Sequence, residues 1–406
     1  MRSRSLIGAS EATKTSGIFS LDEGMKGIGP EISATHILVI MCGGGGSGAV
    51  YGGGGGGGAV AVAKNLPVTA GTTYTITVGA GSPSRGLQAA VTPGGGTTTA
   101  FGQSCQGGGD AGGYVQIAPG SGANRGGNHP YTTNYTTAGS AMTITAPFSG
   151  TTSSSWAGTY FGGGSTNGGG YGQGGGAGAG GHGNSGSNFF STYAGNGGNG
   201  VVLAGTNATY NYDYGNSMST ITDHVSGAFC QDGYSVFMLG AGGGGSCYGG
   251  SADGYACQVG AIYSGAGAGC GGGGDYDVDY RYSYYSAYMP DWLSAFDYRS
   301  TSNVPSPVRG TQSSARGGLY GAPSGTGRGG DGWRHHGGGG GGTAYAPTSG
   351  ATQSGAGGSG FVLIRYPRIN KFKIYKTATA TTGSPMYRLY DGNHFYIFTG
   401  SGSITF

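Results

Sequence analysis

In Ile37-Leu-Val-Ile-Met-Cys-Gly-Gly-Gly-Gly46 an apolar block runs straight into glycine. A few residues on, Gly52–Gly58 leads back out through Ala59-Val-Ala-Val-Ala63. Ile37–Met41 and Ala59–Ala63 have the length and the β-branched content of strands. The glycine between them recurs along the chain, as Gly94–Gly96, Gly107–Gly109, Gly162–Gly164, Gly168–Gly181, Gly195–Gly200, Gly240–Gly245, Gly265–Gly274, Gly337–Gly342 and Gly355–Gly360, interrupted mostly by Ala, Ser, Asn or Gln. The spacing is irregular, which excludes a solenoid of fixed period.

Such runs are either flexible linkers or packed rods. An extended threefold helix rises about 3.1 Å per residue and makes no internal hydrogen bonds, so its amides and carbonyls point sideways. Neighbouring rods can pair along those directions only where no side chain intervenes, and glycine is the residue that permits it. The packed reading is favoured, because a buried amide must be paired and many runs in one chain supply the partners.

Composition supports this. Glycine takes 100 of 406 positions, roughly three times its usual share. Collagen is excluded, since glycine comes in solid runs and there are only 14 prolines. Disorder is opposed by a hydrophobic fraction of 36% and by 29 tyrosines. Only 9% of residues are charged and the net charge is +3, with no basic block to suggest nucleic acid. No apolar run is long enough to insert in a membrane, and the N-terminus lacks a signal-peptide core, so assembly in a cytoplasm is expected. Of the six cysteines, Cys42, Cys105, Cys230, Cys247, Cys257 and Cys270, none forms a CxxC pair. They read as free, buried thiols, with Cys247 and Cys257 the candidates for a late disulfide.

Strand signals surround the glycine. Thr73-Tyr-Thr-Ile-Thr-Val78 and Lys371-Phe-Lys-Ile-Tyr375 alternate with period two, and Phe361–Arg365, His394–Thr399 and Ser403–Phe406 are further candidates. No window reads as an amphipathic helix. The expectation is an all-β fold with an antiparallel β-sandwich-like base, a polyglycine II helix bundle and long surface loops. Four zones follow: a leader and attachment segment over 1–35, base strands over 36–101, the glycine bundle with its loops over 102–360, and attachment strands over 361–406.

The segments between glycine runs differ in chemistry from the runs. The richest is Asp275-Tyr-Asp-Val-Asp-Tyr-Arg-Tyr-Ser-Tyr-Tyr-Ser-Ala-Tyr288, continuing to Trp292 and Tyr298. Tyrosine offers amphipathic area at low entropy cost, and Ser, Asn and Asp add hydrogen bonds. Full burial would strand the aspartates, so this cluster points to binding. Tyr276, Tyr280, Tyr282, Tyr284, Tyr285, Trp292, Trp333 and Trp156 are the candidate receptor-binding residues, with Trp156 opening a loop that runs to Phe161.

Catalytic and metal motifs fail on inspection. GxGxxG matches are uninformative in glycine runs without a following helix. Asp275, Asp277 and Asp279 open like a calcium loop, but its glycine and distal glutamate are missing, and the twelfth position is Ser286. His335 and His336 point apart on extended chain and read as a solvated loop. Arg125-Gly-Gly, Arg316-Gly-Gly and Arg328-Gly-Gly are too few for an RNA-binding RGG box. No catalytic residue, metal or cofactor is expected, and the chain does not read as an enzyme.

The pattern from Thr35 through Gly46 and Gly52–Val62 to Pro67-Val-Thr-Ala-Gly-Thr-Thr-Tyr-Thr-Ile-Thr-Val-Gly-Ala-Gly81 resembles the glycine-rich domain of bacteriophage tail-fibre proteins. Gly355 to Ile364 matches its closing run and strand, so the resemblance brackets 35–366. Thr15–Glu23 and Asp391–Phe406 are similar to segments of phage tail proteins. The interleaving of glycine and variable loops is similar to the distal long-tail-fibre adhesins of T-even-like phages, which pack polyglycine helices and bind receptors through loops. The resemblance implies a virion tail-fibre or tail-tip adhesin for host attachment. Its partners would be a host cell-surface receptor, glycan or outer-membrane protein, and other tail or fibre proteins. A homotrimer and a monomeric cap are equally compatible. The alternative is a structural virion protein, a capsid decoration or tail ornament, without receptor binding.

Overall fold

A computed structural model describes residues 31–50, 52–86, 94–113, 122–124, 126–127, 152–156, 174–180, 182–183, 195, 197–198, 200–204, 237–245, 329, 331–332, 334–343, 353–370, 373–390 and 392–406. Among these residues the structure is all-β, with no helix. The strands are β1 (His36–Cys42), β2 (Val60–Pro67), β3 (Thr73–Thr77), β4 (Thr98–Ala100), β5 (Gln103–Cys105), β6 (Thr152–Trp156), β7 (Val201–Ala204) and β8 (Phe237–Leu239). After the last glycine run come β9 (Phe361–Pro367), β10 (Ile369–Asn370), β11 (Lys373–Ile374), β12 (Ala380–Thr382), β13 (Met386–Tyr390), β14 (Asn393–Phe398) and β15 (Gly402–Thr405).

Two antiparallel sheets dominate. One has six strands in the order β13-β14-β9-β1-β2-β6, and the other five in the order β12-β15-β3-β4-β5. Two-stranded pairs, β10-β11 and β7-β8, complete the set. The first and last strand zones of the sequence therefore interleave in both sheets, with Val39 opposite Ile364 and Tyr74 opposite Ile404. Both sheets feed one hydrophobic cluster. Val39, Met41, Val362, Ile364 and Phe398 enter it from the larger sheet, and Ile76, Ala100, Ile404 and Phe406 from the smaller. The other face of the larger sheet is buried as well, through Ile40, Val62, Phe361, Leu363, Phe395 and Ile397. Burial of both faces explains why Ile37–Met41 is continuously apolar rather than alternating.

Local chemistry sets the connections. Phe101 (φ 53°) and Gly102 (φ 74°) are the two central residues of the β4–β5 hairpin, both with positive φ. This is the turn whose twist matches flanking strands. The Phe101 ring lies 5.0 Å from that of Tyr74. Between β9, β13 and β14 the rings of Tyr366, Tyr387, Tyr396 and His394 form one stack. His394 Nε2 donates to the Tyr375 carbonyl at 2.9 Å, so its Nδ1 accepts from the Tyr387 hydroxyl at 2.9 Å.

Beyond the sheets the chain runs into glycine segments that pair through backbone alone, and the pairing recurs every three residues. The amides of Gly43, Gly46 and Ala49 donate to the carbonyls of Ala59, Gly56 and Gly53 at 2.9, 2.9 and 3.1 Å. In turn Gly53, Gly56 and Ala59 donate to Gly112, Gly109 and Gln106. Gly54 and Gly57 donate to Gly174 and Ala177, and Gly55 and Gly58 to Gly340 and Gly337. Segment 52–59 also accepts from Gly127 at Gly54 and from Gly243 at Gly55. Consecutive amides thus address different neighbours, and six other segments surround this one. A recurrence of three belongs to neither a strand nor an α-helix. The approach excludes side chains: a methyl on Gly57 would overlap the Gly240 carbonyl, and one on Gly55 the Gly46 carbonyl.

Candidate functional site

The direction of each glycine segment fixes where the intervening segments leave the framework. Segment 43–49 leaves β1 and 52–59 returns to β2, so the turn at Val50 lies at the end remote from the sheets. Thr343 bridges Val50 there, and Gly86 bridges Gln353. Gly240–Gly245 leaves β8 and ends at Gly245, whose amide donates to Gly195 at 2.8 Å. Gly329 donates to Gln353 at 3.0 Å, and Gln353 opens the segment that ends at β9. The described residues flanking 246–328 therefore both lie at the remote end. So do Thr343 and Gln353, which flank 344–352.

Tyr276, Tyr280, Tyr282, Tyr284, Tyr285 and Trp292 fall within 246–328 and lie outside the described residues, as does Trp333. Trp156 is described through its backbone. It ends β6, paired with Val60, and the segment 157–161 that follows it lies outside the described residues. Strand β6 forms by backbone pairing, because Thr152–Trp156 lines the free side of β2 residue by residue. Trp156 thereby sits where sheet meets glycine. The described neighbours of Trp333 lie at the same end, since the His336 carbonyl accepts from Gly240, directly after β8.

Neither histidine is the fully solvated loop residue expected: His336 is buried and His335 half-buried. The Nδ1 of His336 faces the Arg334 carbonyl at 3.0 Å. His335 has φ 66° and receives two contacts from Ser359: its amide donates to Oγ at 3.0 Å, and Nδ1 shares a bond with Oγ at 3.1 Å. Burial pushes both imidazoles down to about 4, aided at His335 by the Arg334 charge. The left-handed turn at His335 comes immediately before segment 337–343, a placement that no periodicity in the local sequence reveals. Among the described residues no three His, Cys, Asp or Glu side chains gather as a metal site. Cys42 and Cys105 are free and buried, as expected of them, with burial pushing the Cys42 thiol up and Cys105 to about 12. The other four cysteines lie outside the described residues.

The pole opposite the remote end carries a second feature. A pocket of about 230 Å³ is lined by His36, Leu38, Lys64, Asn65, Arg365 and Tyr366 among others. It sits at a β-bulge, where the register shifts between Ile37 and Val39 and Asn65 adopts φ 56°. The extra residue re-aims the local side chains, as bulges do. Sequence reasoning missed this pocket, because its three basic residues come from three strands and make no local motif.

Among the described residues no helix is long and apolar enough to cross a membrane. No family model, curated protein or solved structure matches this chain.

Proposed function

We propose that this protein is a non-catalytic phage tail-fibre or tail-tip adhesin. Its glycine segments form a polyglycine II bundle that stands on a β-sandwich-like base and holds tyrosine-rich loops toward a host receptor. The observation that carries this reading is the three-residue recurrence of backbone bonds around segment 52–59. A threefold extended helix is the backbone form whose donors recur at that interval in three directions. At about 3.1 Å per residue, the eight residues 52–59 span roughly 25 Å. A stiff scaffold of this kind needs no side chains, so its composition leaves the loops free to vary.

The loops are the binding surface in this reading. The segment that carries Tyr276, Tyr280, Tyr282, Tyr284, Tyr285 and Trp292 leaves and rejoins the framework at the end away from the sheets. Tyrosines with interspersed aspartates suit a glycan or the loops of an outer-membrane protein. The base, built from both strand zones, is the end that joins other virion tail or fibre proteins, whether the chain works as a homotrimer or as a monomeric cap. No nucleic acid, membrane insertion, metal or cofactor enters the reading.

Replacing 275–298 with a Gly-Ser linker of equal length tests it. Adsorption of phage to host cells is expected to fall at least about a hundredfold, the scale of losing several aromatic anchors, while the melting temperature of the purified chain holds. Unchanged adsorption would favour a structural virion protein without receptor contact.

A further inference from the structure

Glycine segments that pair at every third residue regain the same bonds when one slides past another by three residues, about 9 Å. Nothing in a run such as Gly52–Gly58 distinguishes these registers. The strands that the segments adjoin fix their register at the sheet end; away from the sheets that information sits in the side chains that interrupt the runs. Four of them are buried together at the remote end: Ser47, Arg85, Asp110 and Ser354, none more than 5% exposed.

Their contacts replace or reinforce the backbone pattern. The Ser47 amide donates to Asp110 Oδ1 at 2.8 Å, and the Ser47 hydroxyl donates to the same oxygen at 3.1 Å. Arg85 donates through Nη2 to the carbonyls of Gly48 at 3.0 Å and Ala111 at 2.6 Å, and through Nε to Gly48 at 3.3 Å. The Arg85 amide donates to Ser354 Oγ at 2.9 Å, and the Ser354 amide returns a bond to the Arg85 carbonyl at 2.9 Å. Segments 43–49, 79–86, 106–113 and 353–360 are thereby tied at one level. Burial pushes the Arg85 guanidinium down from its ordinary range, and the Asp110 charge opposes this.

We propose that Ser47, Arg85, Asp110 and Ser354 form an axial clasp that fixes the register of these four glycine segments at the loop-bearing end. A slide of three residues would carry the Asp110 carboxylate from Ser47 to Gly44 or Val50, neither of which has a side-chain donor. It would also carry the Arg85 guanidinium away from the Gly48 and Ala111 carbonyls. A buried charge without its partners is what the correct register avoids. The consequence for receptor contact rests on the adhesin reading, and the clasp itself does not.

Hydrogen exchange on the full chain tests the clasp without any receptor. Arg85→Met and Asp110→Asn are each expected to speed exchange at Gly48, Ala111 and Ser354 by about tenfold or more, with Gly43 and Gly360 at the sheet end changing by less than about twofold. Acceleration shared equally by both ends would show a general loss of stability and overturn the proposal, as would no acceleration at either. Ser47→Ala keeps the backbone donor and removes only the hydroxyl. It is the variant read if the other two do not fold, with the same contrast between ends at about threefold. A second measurement places cysteines at Gly86 and Gln353, which are bridged and exposed. Their disulfide yield is expected to drop at least about fivefold when Arg85→Met and Ser354→Ala are combined, since bridging requires Cα atoms within about 7 Å. An unchanged yield counts against the clasp. Loss of adsorption on replacing 275–298 with the clasp pattern intact supports both readings, and unchanged adsorption with that pattern intact overturns the adhesin reading alone.

Discussion

The two sheets and the glycine framework both rest on backbone hydrogen bonds, yet they fill space in opposite ways. In the sheets, side chains occupy the volume between layers: Phe361, Phe395, Phe398 and Phe406 are among the largest buried groups. In the framework the backbone itself occupies the volume, and Gly52–Gly58 is buried without a side chain to bury. A sheet core can absorb a small change of shape by repacking. A glycine segment has no side chain to move, so its only response is to separate backbones that are hydrogen-bonded.

That contrast breaks most sharply at glycine. Gly57→Ala drives a methyl into the Gly240 carbonyl, and the expected loss exceeds about 4 kcal/mol or abolishes folding. Gly86→Ala points into open space and should move stability by less than about 0.5 kcal/mol. Chemical denaturation of both variants reads the difference. Tolerance of Gly57→Ala within about 1 kcal/mol would show that the framework yields like a core.

A smaller effect comes from the turn that joins segments 329–332 and 337–343. His336 is neutral in the fold, pushed from 6.5 down to about 4. Between those values the unfolded chain binds the proton that the folded chain refuses, so stability is full above 6.5 and falls as pH drops toward 4. The loss for His336 reaches up to roughly 3 kcal/mol at the acid end. Melting temperatures across this range should show the decline, and His336→Gln should reduce it by about half, because His335 is depressed to the same value. A parallel decline in His336→Gln would assign the effect to other groups. Apart from the near-neutral Gly86→Ala control, the smallest effect belongs to the sheets. Ile397→Val, at a fully buried site, should cost about 0.5–1.5 kcal/mol by denaturation. A cost near that of Gly57→Ala would erase the distinction between the regions.

Much of the strand content could be read in advance. Thr73–Thr77, Phe361–Pro367 and Asn393–Phe398 lie close to where alternation or apolar runs placed them. Short strands such as Thr98–Ala100, Gln103–Cys105 and Thr152–Trp156 were not anticipated. Thr152-Ser-Ser-Ser-Trp156 has no apolar period and becomes a strand because β2 offers it an unpaired backbone. The candidate site was readable only as composition. Tyrosine and aspartate between glycine runs pointed to binding, but the end of the framework from which those residues leave depends on segment directions, which local sequence does not encode. The two histidines went the other way, because burial at a left-handed turn is a property of what packs over it.

Glycine content, apolar blocks and the scarcity of charge were enough to favour an all-β chain in which backbone rather than side chains would do much of the packing. Those features depend on residue type alone. Which segment bonds to which, and at what height, could not come from runs of identical residues, since each third glycine presents the same donor and acceptor. That choice was made by long-range contacts, among them Asp110 with Ser47 and Arg85 with Gly48 and Ala111, where a buried polar group has one set of partners and a glycine has many.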